Sequence, residues 1–180
     1  SGRTKMLARV TVVDGLSRNV LLDEFAQITV PVTDFCNTGI TAKDVNIIKS
    51  SGANKSYSKG TNALGSISAK PLPILRAQVE RLLRGRLLVG YKVEDDLKAL
   101  GLSHPWIHIR DTAYFPPFLR EKVVGGSTSV VTVRSMDELS EEFLRYRIVP
   151  QGDRSRSVDL CQSALGLYET FRNQWERQQQ

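Results

Sequence analysis

Apolar residues change their period along this chain, and that change limits the folds open to it. Residues 7–14 (LARVTVVD) alternate apolar and polar side chains and are rich in β-branched residues, the pattern of a half-buried strand. Residues 14–19 (DGLSRN) form a turn cluster, and residues 20–25 (VLLDEF) return as a second strand, so the pair reads as a hairpin. Ile28, Thr29 and Val30 predict a third short strand stopped by Pro31, and Thr41 reads as a helix N-cap. From residue 73 the period becomes 3.6. Leu75, Val79, Leu82 and Leu83 share one face of a helix over 73–84, with Arg76, Glu80, Arg81 and Arg84 turned to water. A short apolar run at 87–90 reads as a strand covered on both faces. Val93, Leu97 and Leu100 predict a short helix ended by Gly101. Strands are expected over 106–110 and 130–134. Ser135 and Glu138 make a capping box for a helix with Met136, Leu139 and Phe143 inward. The longest helix, over 157–175, carries Val158, Cys161, Leu165, Tyr168 and Trp175 on one face, with Ala164 and Phe171 beside it. A meander followed by strand–helix–strand units is an α/β pattern: a mixed sheet, antiparallel then parallel, flanked by helices.

A chain of 180 residues makes one domain, 1–180, with enough core to need no staples. Residues 49–70, rich in Ser, Gly, Asn and Lys, read as a flexible insertion, and residues 176–180 as a frayed tail. No apolar run approaches the ~18 residues of a membrane span. Arg3, Lys5 and Arg9 break up the first 14 residues, which hold no signal-peptide core. Cys36 and Cys161 have no metal-site spacing and read as reduced core thiols, placing the chain in an intracellular, reducing compartment. Nucleus or nucleolus, cytoplasm and mitochondrion stay open. Residues 1–90 hold 13 basic and 6 acidic side chains, whereas residues 91–180 hold 12 and 13. Arg outnumbers Lys 16 to 9. A basic face rich in guanidinium groups suits phosphate-bearing partners such as RNA.

Several segments occur in a telling order: LARVTVVD, VLLDEF, PVTDF with TGIT, LLVGYKVEDDLKALGL, IRDTAYFPPF, DELSEEFLRYRI and SVDLCQSALGLYE. Over residues 7–168 the chain resembles the DEDDh-type 3′–5′ exonucleases, in particular RNA exonucleases of the Rex and interferon-stimulated kind. The resemblance implies a ribonuclease H-like fold and phosphodiester hydrolysis by two divalent cations, Mg²⁺ or Mn²⁺, held by several carboxylates. It places the family's second-motif metal-binding acid at Asp96, with Tyr91 where the family commonly has His. In such relatives a strand bearing Asp-x-Glu precedes the segment matching Leu7; here residues 1–6 hold no acid. Matching Val158, Ala164 and Tyr168 puts Ser155 at the general-base His and Leu160 at the third-motif Asp. Asp159 is a displaced substitute, about 100° away around a helix. His104 and His108, separated by Pro105, read as structural or surface groups rather than a base.

The resemblance therefore implies a pseudo-exonuclease, an RNA-binding or complex-assembly module with no cofactor expected. Arg145, Arg147, Arg154 and Arg156 flank the former base position as phosphate ligands, joined by Arg81 and Arg84. Two alternatives stand beside it. One is an active exonuclease with an upstream first motif, Asp96 and Asp159. The other is a structural subunit of a ribonucleoprotein or protein complex, contacting partners through residues 49–70 and the Arg-rich tail.

Overall fold

Alternation of apolar side chains builds the first strand pair. The computed structural model describes residues 6–28, 40, 44–45, 69–124, 128–153 and 155–178. Strand β1 (Arg9–Val13) pairs antiparallel with β2 (Val20–Phe25), with an irregularity between Val12 and Val13. The turn between them is held by Asp14, whose carboxylate accepts the amides of Leu16 and Ser17. Helix α1 (Leu72–Leu83) starts at a proline-rich end, where a missing N–H costs nothing, and buries Leu75, Val79 and Leu83. Strand β3 (Leu88–Gly90) runs parallel to β4 (Ile109–Asp111), with helix α2 (Val93–Leu100) as the crossover. Gly101 ends α2 in the left-handed region at φ +64°, where a side chain would be strained. A second antiparallel pair, β5 (Arg120–Val124) with β6 (Thr128–Thr132), precedes the short helix α3 (Met136–Leu139) and the 23-residue helix α4 (Arg156–Gln178).

Two helix layers cover the strands. On one face Val10 and Leu22 pack with α1 and α2 through Leu75, Val79, Leu83, Val93, Leu97 and Leu100. On the other, α4 supplies Ala164, Leu167, Tyr168 and Trp175 to a cluster with Phe115, Phe118, Met136 and Leu139. Phe115 stacks on Trp175 at 4.0 Å, and Phe118 meets Phe115 and Phe171 edge-on at 5.0 Å each. A third, smaller cluster joins Phe25, Ile28, Val45 and Ala69.

The antiparallel-then-parallel order expected of an α/β exonuclease fold is present, as are α1, α2, the Ser135 capping box and the long last helix. Several expectations need correction. The described strands bond in three pairs, two antiparallel and one parallel. Residues 106–108 are a 3-10 turn behind Pro105, and only Ile109–Asp111 is extended. The strand expected over 130–134 begins at Thr128, and its partner β5 carried too few apolar residues to stand out. Ser140–Leu144 winds as a π-helix, which leaves Phe143 only half-buried. On α4 the buried line includes Ser163 and Leu167, while Val158, Cys161 and Leu165 are half-buried. The tail expected to fray from residue 176 is helical through Gln178, and Glu176 pairs with Arg110. Of the insertion 49–70, only Ala69 and Lys70 are described: Ala69 is buried and the Lys70 backbone bridges Phe25 and Gln27. Thr29, Val30, Cys36, Thr41 and residues 49–68 lie outside the described residues.

Phe118 is wholly buried and sits at the centre of the aromatic cluster. Phe118→Ala should destabilise the fold by about 3–5 kcal/mol in urea titration, because the surrounding rings cannot collapse into the space.

Candidate functional site

The resemblance points to the first turn of α2, and the local sequence explains how that turn is held. Gly90 lies so close to α2 that a Cβ there would meet Val93 Cγ2 at 2.8 Å. Lys92 takes a left-handed conformation, φ 56°. The Asp111 carboxylate on β4 accepts the amides of Lys92 and Val93, 2.8 Å each, and of Ala113 at 3.0 Å. These bonds satisfy donors at the helix start and fix α2 on the parallel strands. Tyr91, where the family commonly has His, donates its hydroxyl to Arg134 O at 2.6 Å. Burial, then the Asp111 charge, holds this phenol above its ordinary range, so it is neutral.

Asp96 is exposed at the edge of a cavity of about 480 Å³ bounded by β1, β3 and three helices. Arg9, Thr11, Val93, Ser157, Leu160 and Cys161 line the same cavity. Beside it the Arg9 guanidinium grips Asp23 through Nε and Nη2, 2.7 Å each, and Thr11 Oγ1 adds a third bond at 3.0 Å. Burial pushes the Asp23 carboxyl up, but the bonds from Arg9 and Thr11 outweigh it and hold the group below its usual value. Ser157 Oγ lies 2.9 Å from Thr11 Oγ1, within hydrogen-bond reach, tying β1 to α4. Cys161 is a free thiol directed at Thr11 O, Sγ to O 3.6 Å. Burial, with the Asp96 and Asp23 charges, pushes it up to about 11.

The other expected site residues are scattered. Leu160 lines the cavity with Asp96 and packs against the aromatic cluster. Asp159 is elsewhere: its Oδ2 accepts the Tyr146 hydroxyl at 2.8 Å and the Val149 amide at 3.2 Å. Ser155 is held by Asp153, whose Oδ1 accepts its amide and hydroxyl, and its own carbonyl receives the amides of Val158 and Asp159. It therefore opens helix α4. Arg156, expected to bind phosphate, instead pairs with Asp137 and donates to Val149 O. Arg145 and Arg147 are exposed on either side of the half-exposed Tyr146, Arg81 and Arg84 are exposed on α1, and Arg154 lies outside the described residues. His104 bonds Arg86 O at 3.0 Å and His108 is exposed, in keeping with surface roles.

Two-cation chemistry needs several carboxylate oxygens converging on one point. Among the described residues no group of three His, Cys, Asp or Glu side chains is placed to hold a metal. Asp23, the acid that shares Cys161 with Asp96, has both oxygens taken by Arg9. The described side chains therefore do not fit a pair of Mg²⁺ or Mn²⁺ ions. Sequence reading missed the Arg9–Asp23 pair and the Asp111 anchor, because both join residues on neighbouring strands or elements with no motif spacing.

A hairpin, a parallel strand–helix–strand unit and a long closing helix make up a ribonuclease H-like exonuclease fold. Over nearly its whole length the chain is homologous to RNA exonucleases. It is 32% identical over 177 residues to RNA exonuclease 4 of Xenopus laevis, covering 97% of this chain and 35% of that protein. It is 27% identical over 180 residues to the apoptosis-enhancing nuclease of Homo sapiens, covering 99% of this chain and 47% of that protein. The chain thus spans about a third to a half of these relatives. Its fold matches the pseudoubiquitin hydrolase–RNA exonuclease module of Saccharomyces cerevisiae Pan2, solved with AAUUAA RNA, at TM-score 0.68 and 22% identity. That match covers 95% of this chain and 25% of the Pan2 chain. The Neurospora crassa Pan2 catalytic unit matches at TM-score 0.66 and 18% identity, over 97% of this chain and 25% of that one. No family model matches the chain.

The Cys161 thiol gives a pH test. An unfolded thiol ionises near 9 and the folded one near 11, so the native state keeps a proton the unfolded state has lost. Stability should fall by roughly 2–3 kcal/mol as pH rises from 9 to 11. Urea titrations across that range should show the loss, and Cys161→Ala should flatten it.

Proposed function

We propose that this domain is a pseudo-exonuclease: an exonuclease-fold module that binds RNA without cleaving it. One observation carries the reading. Leu160, at the position the resemblance assigns to the third-motif acid, shares the cavity with Asp96, while Asp159 is bound to Tyr146 and Val149 on another side of α4. A leucine side chain offers a cation nothing and makes the cavity wall apolar. The relatives named as RNA exonucleases, and the Pan2 module solved with RNA, support RNA as the ligand class.

The phosphate-binding surface is then best sought where guanidinium groups are not already paired. Arg145 and Arg147 flank Tyr146, a residue 43% exposed whose hydroxyl is fixed on Asp159. Two cations with an aromatic face between them suit a single strand, which offers phosphates and unstacked bases together. Arg81 and Arg84 on α1 extend the basic surface. Arg156 is a structural pin, not a phosphate ligand. We place the protein in an intracellular, reducing compartment, nuclear or cytoplasmic; none of the described helices is long and apolar enough to cross a membrane.

Two measurements test this. Arg145→Glu with Arg147→Glu should weaken binding of a fluorescent single-stranded RNA, and should reduce the slope of log K against log salt by about 1.4 if each Arg meets one phosphate. Titration calorimetry with millimolar Mg²⁺ or Mn²⁺ should show no saturable binding. Metal-dependent shortening of the RNA from its 3′ end, abolished by Asp96→Ala, would establish the active-enzyme alternative instead.

A further inference from the structure

Charge runs out in the hairpin that precedes α3. Residues 123–133 (VVGGSTSVVTV) hold no Asp, Glu, Lys or Arg. They take in the end of β5 and all of β6, whose register sets Glu121 against Val131, Lys122 against Val130 and Val123 against Ser129. Alternation therefore puts Val123 and Val131 on one face of the ribbon and Val130 on the other. Val123 is 71% exposed and Val131 57%, and Val130 and Val133 are exposed as well. Among the described residues β6 bonds β5 along one edge and no strand along the other. The base of the ribbon is fixed, because Arg120 pairs with Glu138 and Thr132 Oγ1 donates to Arg120 O. A lone pair of five-residue strands covers little apolar surface of its own. The open edge of β6 also carries none of the charges or prolines that ordinarily keep such an edge from pairing.

We propose that β6 is a self-association edge: two copies of the chain pair antiparallel along it and form a four-stranded sheet in the order β5, β6, β6, β5. In antiparallel strands, facing residues turn their backbone groups either both together or both apart. A two-fold axis between identical strands therefore passes through one residue, which meets its own copy. On β6 that residue is Val130, the middle of Thr128–Thr132, and all five residues then pair. Val130 lies against Val130 of the second copy, and Ser129 against Val131. No charge is opposed. Lys122, across the hairpin from Val130, falls on the outer strand of each copy, about 14 Å from its counterpart and beyond the ~10 Å screening length of 0.1 M salt. The other edge of the ribbon forbids the same pairing, since an axis through Glu121 or Lys122 of β5 sets like charges face to face. Charge thus selects both the edge and its occupant. An uncharged edge suits an uncharged strand, and β6 of a second copy meets that need at the matching length. A nucleic acid, with a charge on every phosphate and no strand-like backbone, does not. Five paired residues span about 17 Å and bury less than the ~1,000 Å² of a persistent interface, so the dimer is a reversible one. The proposal stands independently of RNA binding.

Sedimentation equilibrium of the chain over roughly 10 µM to 1 mM, where weak association is read, tests this. The unaltered chain should show a monomer–dimer equilibrium. Val131→Lys sets a cation beside Glu121 within its own hairpin, which keeps the hairpin, and opposite Ser129 across the axis. Ser129→Glu sets an anion on the other side of that same contact. Each variant alone should dimerise about tenfold more weakly than the unaltered chain. An equimolar mixture of the two should regain the dimer, because the cation of one copy then faces the anion of the other. Recovery in the mixture also shows that both variants are folded. An unaltered chain that stays monomeric throughout that range overturns the proposal and leaves the edge to a strand of a different polypeptide. A dimer that both variants leave intact, or a mixture that does not re-associate, overturns it too.

Discussion

Helix α4 holds together strand pairs that share no hydrogen bonds among the described residues. Its first turns touch β1 through Ser157 and Cys161, and its middle packs behind β3 and against the aromatic cluster. Both ends are pinned by guanidinium groups. Arg156 ties the first turn to Asp137, and Arg110, only 6% exposed, forks onto Glu176 with bonds of 2.8 and 2.7 Å while Tyr168 donates to the same carboxylate. The bonds from Arg110 first, and then from Tyr168 against burial, hold the Glu176 carboxyl below its usual value. A planar two-pronged cation on a carboxylate fixes direction as well as distance, which sets the rotation of α4 and hence what it turns into the cavity.

That rotation governs the chemistry of the site. With α4 seated this way, Leu160 and Cys161 face the cavity, and Asp159 faces the loop that carries Tyr146 and Val149. One step along a helix is about 100°, so neighbouring residues cannot exchange these roles without turning the whole helix off its anchors. Across the cavity the Arg9–Asp23 pair neutralises an acid that could otherwise add to Asp96. Hydrophobic packing by Leu160 and the Arg9–Asp23 ion pair thus surround the described part of the cavity beside Asp96.

Much of this was legible in the residues. The amphipathic spacing of Leu75, Val79 and Leu83, the Gly101 stop, the Ser135–Glu138 box and the alternation over 7–14 each act over a few neighbouring residues, and each appears in the fold. The order of those pieces carried the exonuclease resemblance. Less was legible where long-range contacts compete. Residues 106–108 looked extended, but their chain turns behind Pro105 to deliver Ile109 to β3. Phe143 kept a helical spacing that the π-turn of Ser140–Leu144 shifted.

The sequence by itself determined most of the element types and their order, because these follow from residue identity and short-range spacing. Only the tertiary structure decided which charges remain open to a partner. Arg156 and Arg145 are alike in sequence, but one meets Asp137 across 19 residues and the other faces solvent. Likewise, Thr11 and Val89 line one cavity only because strands far apart in the chain pack on the same helix, which no local pattern of residues encodes.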